Sequence, residues 1–233
     1  MISNKEELVS KVGAIIVAAG ESRRMGGVDK VFAPLGGKPA LARVLDAFES
    51  CDSVAQIVVV VSKKNLERCR QLITEEGWSK PIEVCVGGRR RQDSVAAGLS
   101  QLNNCDWVVI HDGARPLVTR DLIERGLEAA QETGAAAAAI PVTDTIKVAG
   151  SDRIVHQTPP RQNLWAVQTP QVFRFDIISE AYEQAKGEVT DDASLVEQLG
   201  YRVKLYMGSY DNIKITTDHD LLIAEAWQQK HGK

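Results

Sequence analysis

Runs of apolar, mostly β-branched residues recur along the chain, nearly unbroken and bounded by turn signals. They fall at residues 12–19, 56–61, 82–86, 106–110, 135–140 and 203–206. A strand that is apolar at successive positions has no solvent face. It must be covered on both sides, as strands of a parallel sheet are. Helical patterns lie between the runs. Residues 39–51 place Leu41, Val44, Leu45 and Phe48 on one helical face, and 94–102, 119–132, 175–186 and 220–230 also read as helices. Thr119 or Asp121, and Asp218, are candidate helix caps. Strand–helix alternation requires right-handed crossovers. The chain is therefore expected to be α/β, a Rossmann-like three-layer α/β/α arrangement with a mainly parallel sheet, in a single domain over residues 1–233. Residues 135–139 are all Ala and sit between Gly134 and Ile140-Pro141, so they read as a tightly packed strand.

One stretch breaks the rhythm. Pro141, Pro159, Pro160 and Pro170 punctuate short alternating pieces at 145–148 and 153–157, around Ala149-Gly150-Ser151-Asp152. These pieces predict a protruding β-hairpin arm over about residues 141–168. An isolated hairpin is marginal in water. A second subunit is its natural support, so a homodimer through the arm is expected.

Bulk properties exclude several classes. With a net charge of −3 the chain is no nucleic-acid coat, so any positive site must be local. No run approaches the ~18 apolar residues of a membrane span. The polar start lacks a signal-peptide core, which makes the cytoplasm the default compartment, with the plastid stroma as the alternative after removal of a transit peptide. Cys51, Cys69, Cys85 and Cys105 form no C-x-x-C pair and read as reduced, mostly buried thiols. His111 follows an apolar strand and reads as a packed, hydrogen-bonded residue. His156, His219 and His231 show no metal spacing, and Trp107 and Trp165 read as packing residues.

The first run ends in Ala18-Ala19-Gly20, followed by Arg23, Arg24, Gly26, Gly27 and Lys30. Open α/β sheets bind ligands at the carboxyl ends of their strands. A glycine-rich loop there can turn backbone N–H groups toward phosphate, and the cations add local positive charge. The loop is neither a Walker loop nor G-x-G-x-x-G, because Ser22 holds the second Gly position.

Further segments carry a resemblance. They are Gly87-Gly88 with Gln92-Asp93-Ser94-Val95; His111-Asp112-Gly113-Ala114-Arg115-Pro116; Pro141 through Lys147; Arg161 with Gln168-Thr169-Pro170-Gln171; Thr190-Asp191-Asp192-Ala193-Ser194; and Asp211 through Thr216. With the first loop they resemble the 2-C-methyl-D-erythritol 4-phosphate cytidylyltransferases of the non-mevalonate isoprenoid pathway, from about residue 12 to the last helix. The resemblance implies transfer of CMP from CTP to a small sugar-alcohol phosphate with release of pyrophosphate, aided by Mg²⁺ or another divalent cation. It implies Arg24 and Lys30 as transition-state stabilisers. Ala18, Ala19 and Gly20 with Gly87, Gly88 and Ser94 would hold the nucleotide. Arg161 and Lys214 would position the substrate phosphate, while Asp112, Arg115, Thr145, Thr169 and Thr190 would bind substrate. Asp112 could serve the substrate hydroxyls or the metal sphere, and Arg115 the substrate or its own loop. Thr145 and Arg161 would come from the partner subunit's arm. Asp211 is a candidate to orient Lys214, and Arg89, Arg90 and Arg91 are either phosphate contacts or a solvated turn. The metal's protein ligands are not assigned.

Two positions depart from the family pattern. Asp29 stands where Pro is frequent before the Lys, and Val31 stands where Gln is frequent. Other readings are a ribitol-5-phosphate cytidylyltransferase, which shares loop and arm, a non-catalytic nucleotide-binding module, and a dinucleotide-dependent oxidoreductase, which the glycine spacing disfavours.

Overall fold

Successive residues of the first strand point into opposite cores: Ala14 and Ile16 into one, Ile15 into the other. That division organises the whole chain. The computed structural model describes residues 11–20, 29–185 and 187–231. In order the elements are β1 (Val12–Ala18), β2 (Pro34–Leu35), β3 (Lys38–Pro39), α1 (Ala40–Glu49), β4 (Val54–Val61), a 3₁₀ turn (Lys63–Asn65) leading into α2 (Leu66–Glu76), β5 (Ile82–Val86), α3 (Arg91–Leu99), β6 (Trp107–Asp112), α4 (Arg120–Ala130) and β7 (Ala135–Pro141). Then come β8 (Val148–Ala149), β9 (Val155–Gln157), β10 (Trp165–Arg174), α5 (Phe175–Glu183), α6 (Asp192–Gln198), β11 (Lys204–Met207) and α7 (Asp218–His231).

Seven strands form one sheet in the order β11-β7-β10-β6-β1-β4-β5. All pairs are parallel except those of β10, which runs antiparallel to both β6 and β7. Side chains of α1, α2 and α4 (Phe48, Leu72, Ile123) pack on one face. Those of α3, α5 and α6 (Leu99, Ile178, Val196) pack on the other. The expectation of three layers around a mainly parallel sheet therefore holds, with β10 as its antiparallel member. The alanine run is β7, with Ala135 to Ala139 fully buried between its neighbours.

Thr119 caps α4 as expected, its hydroxyl accepting the Leu122 N–H at 3.3 Å. The last helix is capped one residue earlier than Asp218: Thr217 takes the Asp220 N–H at 3.4 Å, and Asp220 returns the bond to the Thr217 N–H at 2.9 Å. The hairpin is shorter than the alternation suggested, because Thr145 lies outside β8 and only Val148 and Ala149 pair with β9. Trp107 is buried, but Trp165 is exposed at the base of the arm, so it is not a core residue. The cysteines are free thiols. Burial pushes the Cys69 thiol up to about 12, which keeps it protonated and inert. Among the described residues no helix is long and apolar enough to cross a membrane.

Candidate active site

Parallel strands β1, β4, β5 and β6 end along one rim, and a cavity of about 550 Å³ opens there. Its walls include Ala18, Ala19 and Gly20 after β1, Ser62 and Lys63 after β4, Gly87 and Gly88 after β5, and Asp112 at the end of β6. Lys30, Ser94, Arg89, Arg90, Arg91 and Lys214 also line it. Gly87 has a steric reason to be glycine. A Cβ there would stand 2.6 Å from both the Ala19 Cβ and the Ser94 Oγ, closing the gap between the β1 and β5 ends.

Asp112 is the electrostatic centre. Its carboxylate receives Lys214 Nζ at 2.7 Å, Arg91 Nε at 3.2 Å and, at longer range, Arg115 Nε at 3.8 Å. Burial alone would raise its pKa. The Arg91 charge, then that of Lys214, outweigh burial and hold the carboxyl well below the usual carboxylate range. Arg91 also reaches Asp192 at 2.8 Å, and Asp192 accepts the Tyr182 hydroxyl at 2.6 Å. Burial works against the Arg91 charge, but Asp192 and then Asp112 more than compensate, so its pKa is raised. The site thus carries cations already ordered by buried carboxylates, and their charge needs no rearrangement when an anion arrives.

A second layer holds Asp112 in place. The Asp112 N–H donates to Thr169 Oγ1 at 3.0 Å, and that oxygen lies 3.1 Å from His111 Nδ1. His111 Nε2 lies 3.1 Å from the Arg115 carbonyl. A carbonyl only accepts, so Nε2 carries the proton, and the bare Nδ1 takes the Thr169 hydroxyl proton. This chain of bonds needs a neutral imidazole. Complete burial supplies it, pushing the His111 pKa from the ordinary 6.5 down to about 4. In an unfolded chain His111 would bind a proton below about 6.5, while the folded protein resists until about 4. His111 therefore supports stability fully above pH 6.5, and that support is lost as pH falls toward 4. About 2 kcal/mol should be gone by about pH 5, or roughly 4–8 °C in melting temperature for a chain of this size. His111→Gln should flatten that slope in melting curves taken from pH 7 to pH 5. An unchanged slope would remove His111 as its source.

The structure sorts the expected residues. Ala18, Ala19, Gly20, Lys30, Gly87, Gly88, Ser94, Asp112 and Lys214 share the cavity. Arg24 lies outside the described residues. Thr169 is buried, and its hydroxyl is bonded to Asp112 and His111. Arg115 donates to the Asn212 carbonyl at 2.7 Å and holds its own loop rather than lining the cavity. Thr145 and Arg161 are exposed on the arm, where Arg161 donates to the Thr143 carbonyl at 2.7 Å, and Thr190 is exposed ahead of α6. Lys214 is oriented by Asp112, not by the exposed Asp211. Of the arginine trio, Arg90 pairs with Asp93 at 2.6 Å, Arg89 faces the cavity, and Arg91 is neither solvated nor unpaired.

Asp192, Tyr182, Ser62 and Lys63 were not legible as site residues. The partners of Asp192 lie far off in sequence. Ser62 and Lys63 had one usable signal, their place just after a parallel strand. The Ser62 hydroxyl is buried at the cavity wall and makes no hydrogen bond. Among the described residues no three His, Cys, Asp or Glu side chains cluster for a metal.

A nucleotide-sized cavity at the strand ends of an α/β sheet, glycine-walled on one side and cationic on the other, defines an enzyme of the nucleotidyltransferase class. The chain belongs to the 2-C-methyl-D-erythritol 4-phosphate cytidylyltransferase family, whose sequence profile matches residues 12–230. It is 52% identical to the 2-C-methyl-D-erythritol 4-phosphate cytidylyltransferase of Dehalococcoides mccartyi strain 195, over 96% of this chain and 98% of that one. It is 45% identical to the enzyme of the same name from Caldanaerobacter subterraneus subsp. tengcongensis, over 94% and 99%. Among solved structures, the 4-diphosphocytidyl-2C-methyl-D-erythritol synthase of Anaerococcus prevotii superposes with a TM-score of 0.86 at 30% identity, over 95% of this chain and 97% of that one.

Proposed function

We propose that this protein transfers CMP from CTP to 2-C-methyl-D-erythritol 4-phosphate, giving 4-diphosphocytidyl-2-C-methyl-D-erythritol and pyrophosphate. The observation that carries the proposal is the convergence of Lys30, Arg91 and Lys214 with the glycine-walled pocket in one cavity. A phosphate oxygen of the sugar substrate forms a bond to the α-phosphorus of CTP. The bond from that phosphorus to the oxygen bridging to the β-phosphate breaks, and its electron pair leaves on pyrophosphate. The nucleophile is already ionised near pH 7, so no general base is required. Two anions must meet, and the work of the site is positioning and charge stabilisation. Gly87, Gly88 and Ser94 take the base, Ala18 to Gly20 the phosphates, and Lys214 with Thr190 the sugar phosphate.

A divalent cation, Mg²⁺ by preference, fits this donor set only as a companion of the triphosphate. Asp112 is the one acidic residue among the described cavity walls, and Arg91 and Lys214 already engage it. Mg²⁺ is commonly held in this way, by substrate phosphates, water and few carboxylates, and it would neutralise charge on the leaving group.

The arm presents Ile146, Val148, Ile154 and Val155 to solvent, and Trp165 and Tyr210 are exposed nearby. Exposed apolar side chains gathered on one arm favour a homodimer in which Thr145 and Arg161 serve the partner's cavity. Light scattering at micromolar concentration should return the dimer mass, and a monomer would remove the arm from the mechanism. We take the cytoplasm as the compartment, since substrates and products are water-soluble phosphates.

The test of function is pyrophosphate release from CTP and Mg²⁺ with 2-C-methyl-D-erythritol 4-phosphate and, in parallel, ribitol 5-phosphate. Faster turnover with the first is expected. The reverse order would reassign the acceptor, and CTP binding without turnover would leave a nucleotide-binding module.

A further inference from the structure

Lys30 lines the cavity, but its neighbour Asp29 does not. A carboxylate beside the phosphate-binding cation is a liability. Left loose, it would draw the Lys30 ammonium toward itself and repel an incoming polyphosphate. The chain disposes of it by turning Asp29 the other way. Asn65 Nδ2 donates to Asp29 Oδ2 at 2.5 Å across 36 residues of sequence, and Lys64 Nζ stands 3.6 Å from the same oxygen. The Asp29 side chain is 11% exposed, and its other oxygen is buried with no hydrogen-bond partner. The contacts to Asn65 and Lys64 therefore hold the carboxylate.

Asn65 is itself only 7% exposed and occupies the N-cap position of α2, where asparagine normally bonds its own helix. Here the side chain makes no cap bond, and its amide goes to Asp29 instead. The carboxylate also gains from lying at the positive end of the helix. The turn that follows is pinned to the same helix. Phe32 donates its N–H to the Asp29 carbonyl at 2.9 Å, and the Arg68 guanidinium lies 4.3 Å from the centre of the Phe32 ring.

We infer that Asn65, seconded by Lys64, is a positioning residue for Lys30, acting through the Asp29 carboxylate. Where a proline would fix the backbone before the lysine with its ring, this chain fixes it through a side-chain latch on α2. The inference rests on the role given to Lys30 above, and a mutant cycle separates the two.

The cycle compares the wild type, Asn65→Ala, Lys30→Ala and the double variant, each by kcat and KM for pyrophosphate release and by melting temperature. Asn65→Ala should lower kcat about tenfold or more, since small misplacements of a charge-stabilising group are costly. The KM for the sugar phosphate should stay within about threefold. In the Lys30→Ala background the same substitution should cost nothing further, because there is no lysine left to misplace. An Asn65→Ala enzyme with normal kcat, beside a slow Lys30→Ala enzyme, overturns the latch and leaves the reaction standing. Equal losses from Asn65→Ala in both backgrounds also overturn it, by showing a general structural effect. A normal Lys30→Ala enzyme sinks the role of Lys30 and the latch together. Should Asn65→Ala fail to fold, Asn65→Asp, which keeps the shape but sets a second carboxylate against Asp29 in place of the donor, enters the same cycle with the same expectations.

Discussion

Lys30→Ala is expected to slow CMP transfer by about 100- to 1,000-fold at saturating substrates, the usual cost of deleting one preorganised charge-stabilising donor. That loss corresponds to roughly 3–4 kcal/mol of barrier. The expectation follows from where the lysine sits. It lines the cavity at the rim where the chain leaves β1, together with Arg91 and Lys214. Arg24→Ala should fall in the same range, as the companion cation of the same loop. Lys30→Arg should recover only part of the rate, because a planar fork does not reproduce a compact ammonium. Pyrophosphate release under single-turnover and steady-state conditions is the measurement. Rates for both alanine variants within tenfold of the parent would end the assignment of chemistry to this loop.

Asp112→Asn should damage both stability and rate. The carboxylate is 9% exposed and counterbalances Arg91, Lys214 and Arg115. Removing the charge while keeping the shape leaves these cations facing one another. Breaking a buried pair in this way costs about 3–5 kcal/mol. The lower end applies here, since the Lys214 side chain is 38% exposed and water screens part of the repulsion. A fall of roughly 6–12 °C in melting temperature is expected. Turnover should drop as well, because Lys214 loses the charged partner that aims it. The native contribution of Asp112 is present above the ordinary carboxylate range and fades only as strong acid protonates it, since its folded pKa is lowered. A variant that melts within 2 °C of the parent and turns over at half its rate or better would show that Asp112 is not the hub.

Much of the parallel core could be read in advance because burial on both faces leaves an unmistakable trace. The runs that became β1, β4 and β6 each hold an unbroken apolar stretch, AIIVA, IVVVV and WVVI. Strand β10 left no such trace. It contains Pro170, and its pairing with β7 shifts register between Val167 and Gln171, so the missing N–H falls at an irregularity where the ladder does not need it. A proline inside a strand argues against that strand until the bulge is seen. Helix α2 was missed for the opposite reason, since LERCRQLITEE is mostly polar and buries little beyond Cys69 and Leu72. In the site, glycines and lysines following strand ends were legible because the strand ends were. The Arg91–Asp192–Tyr182 contacts were not, because they join segments that only the folded sheet brings together.

The reversed direction of β10 has a topological consequence. Chain leaving β7 arrives at the cavity rim, forms the arm there, and re-enters the sheet from that same rim. The arm and the cavity thus share one pole of the molecule. Among the described residues, the opposite pole carries connections between elements, where Lys11 meets Asp106 and Gly134 meets Arg174. Those loops are the natural places to open the chain for circular permutation or to graft a label, leaving the working pole untouched.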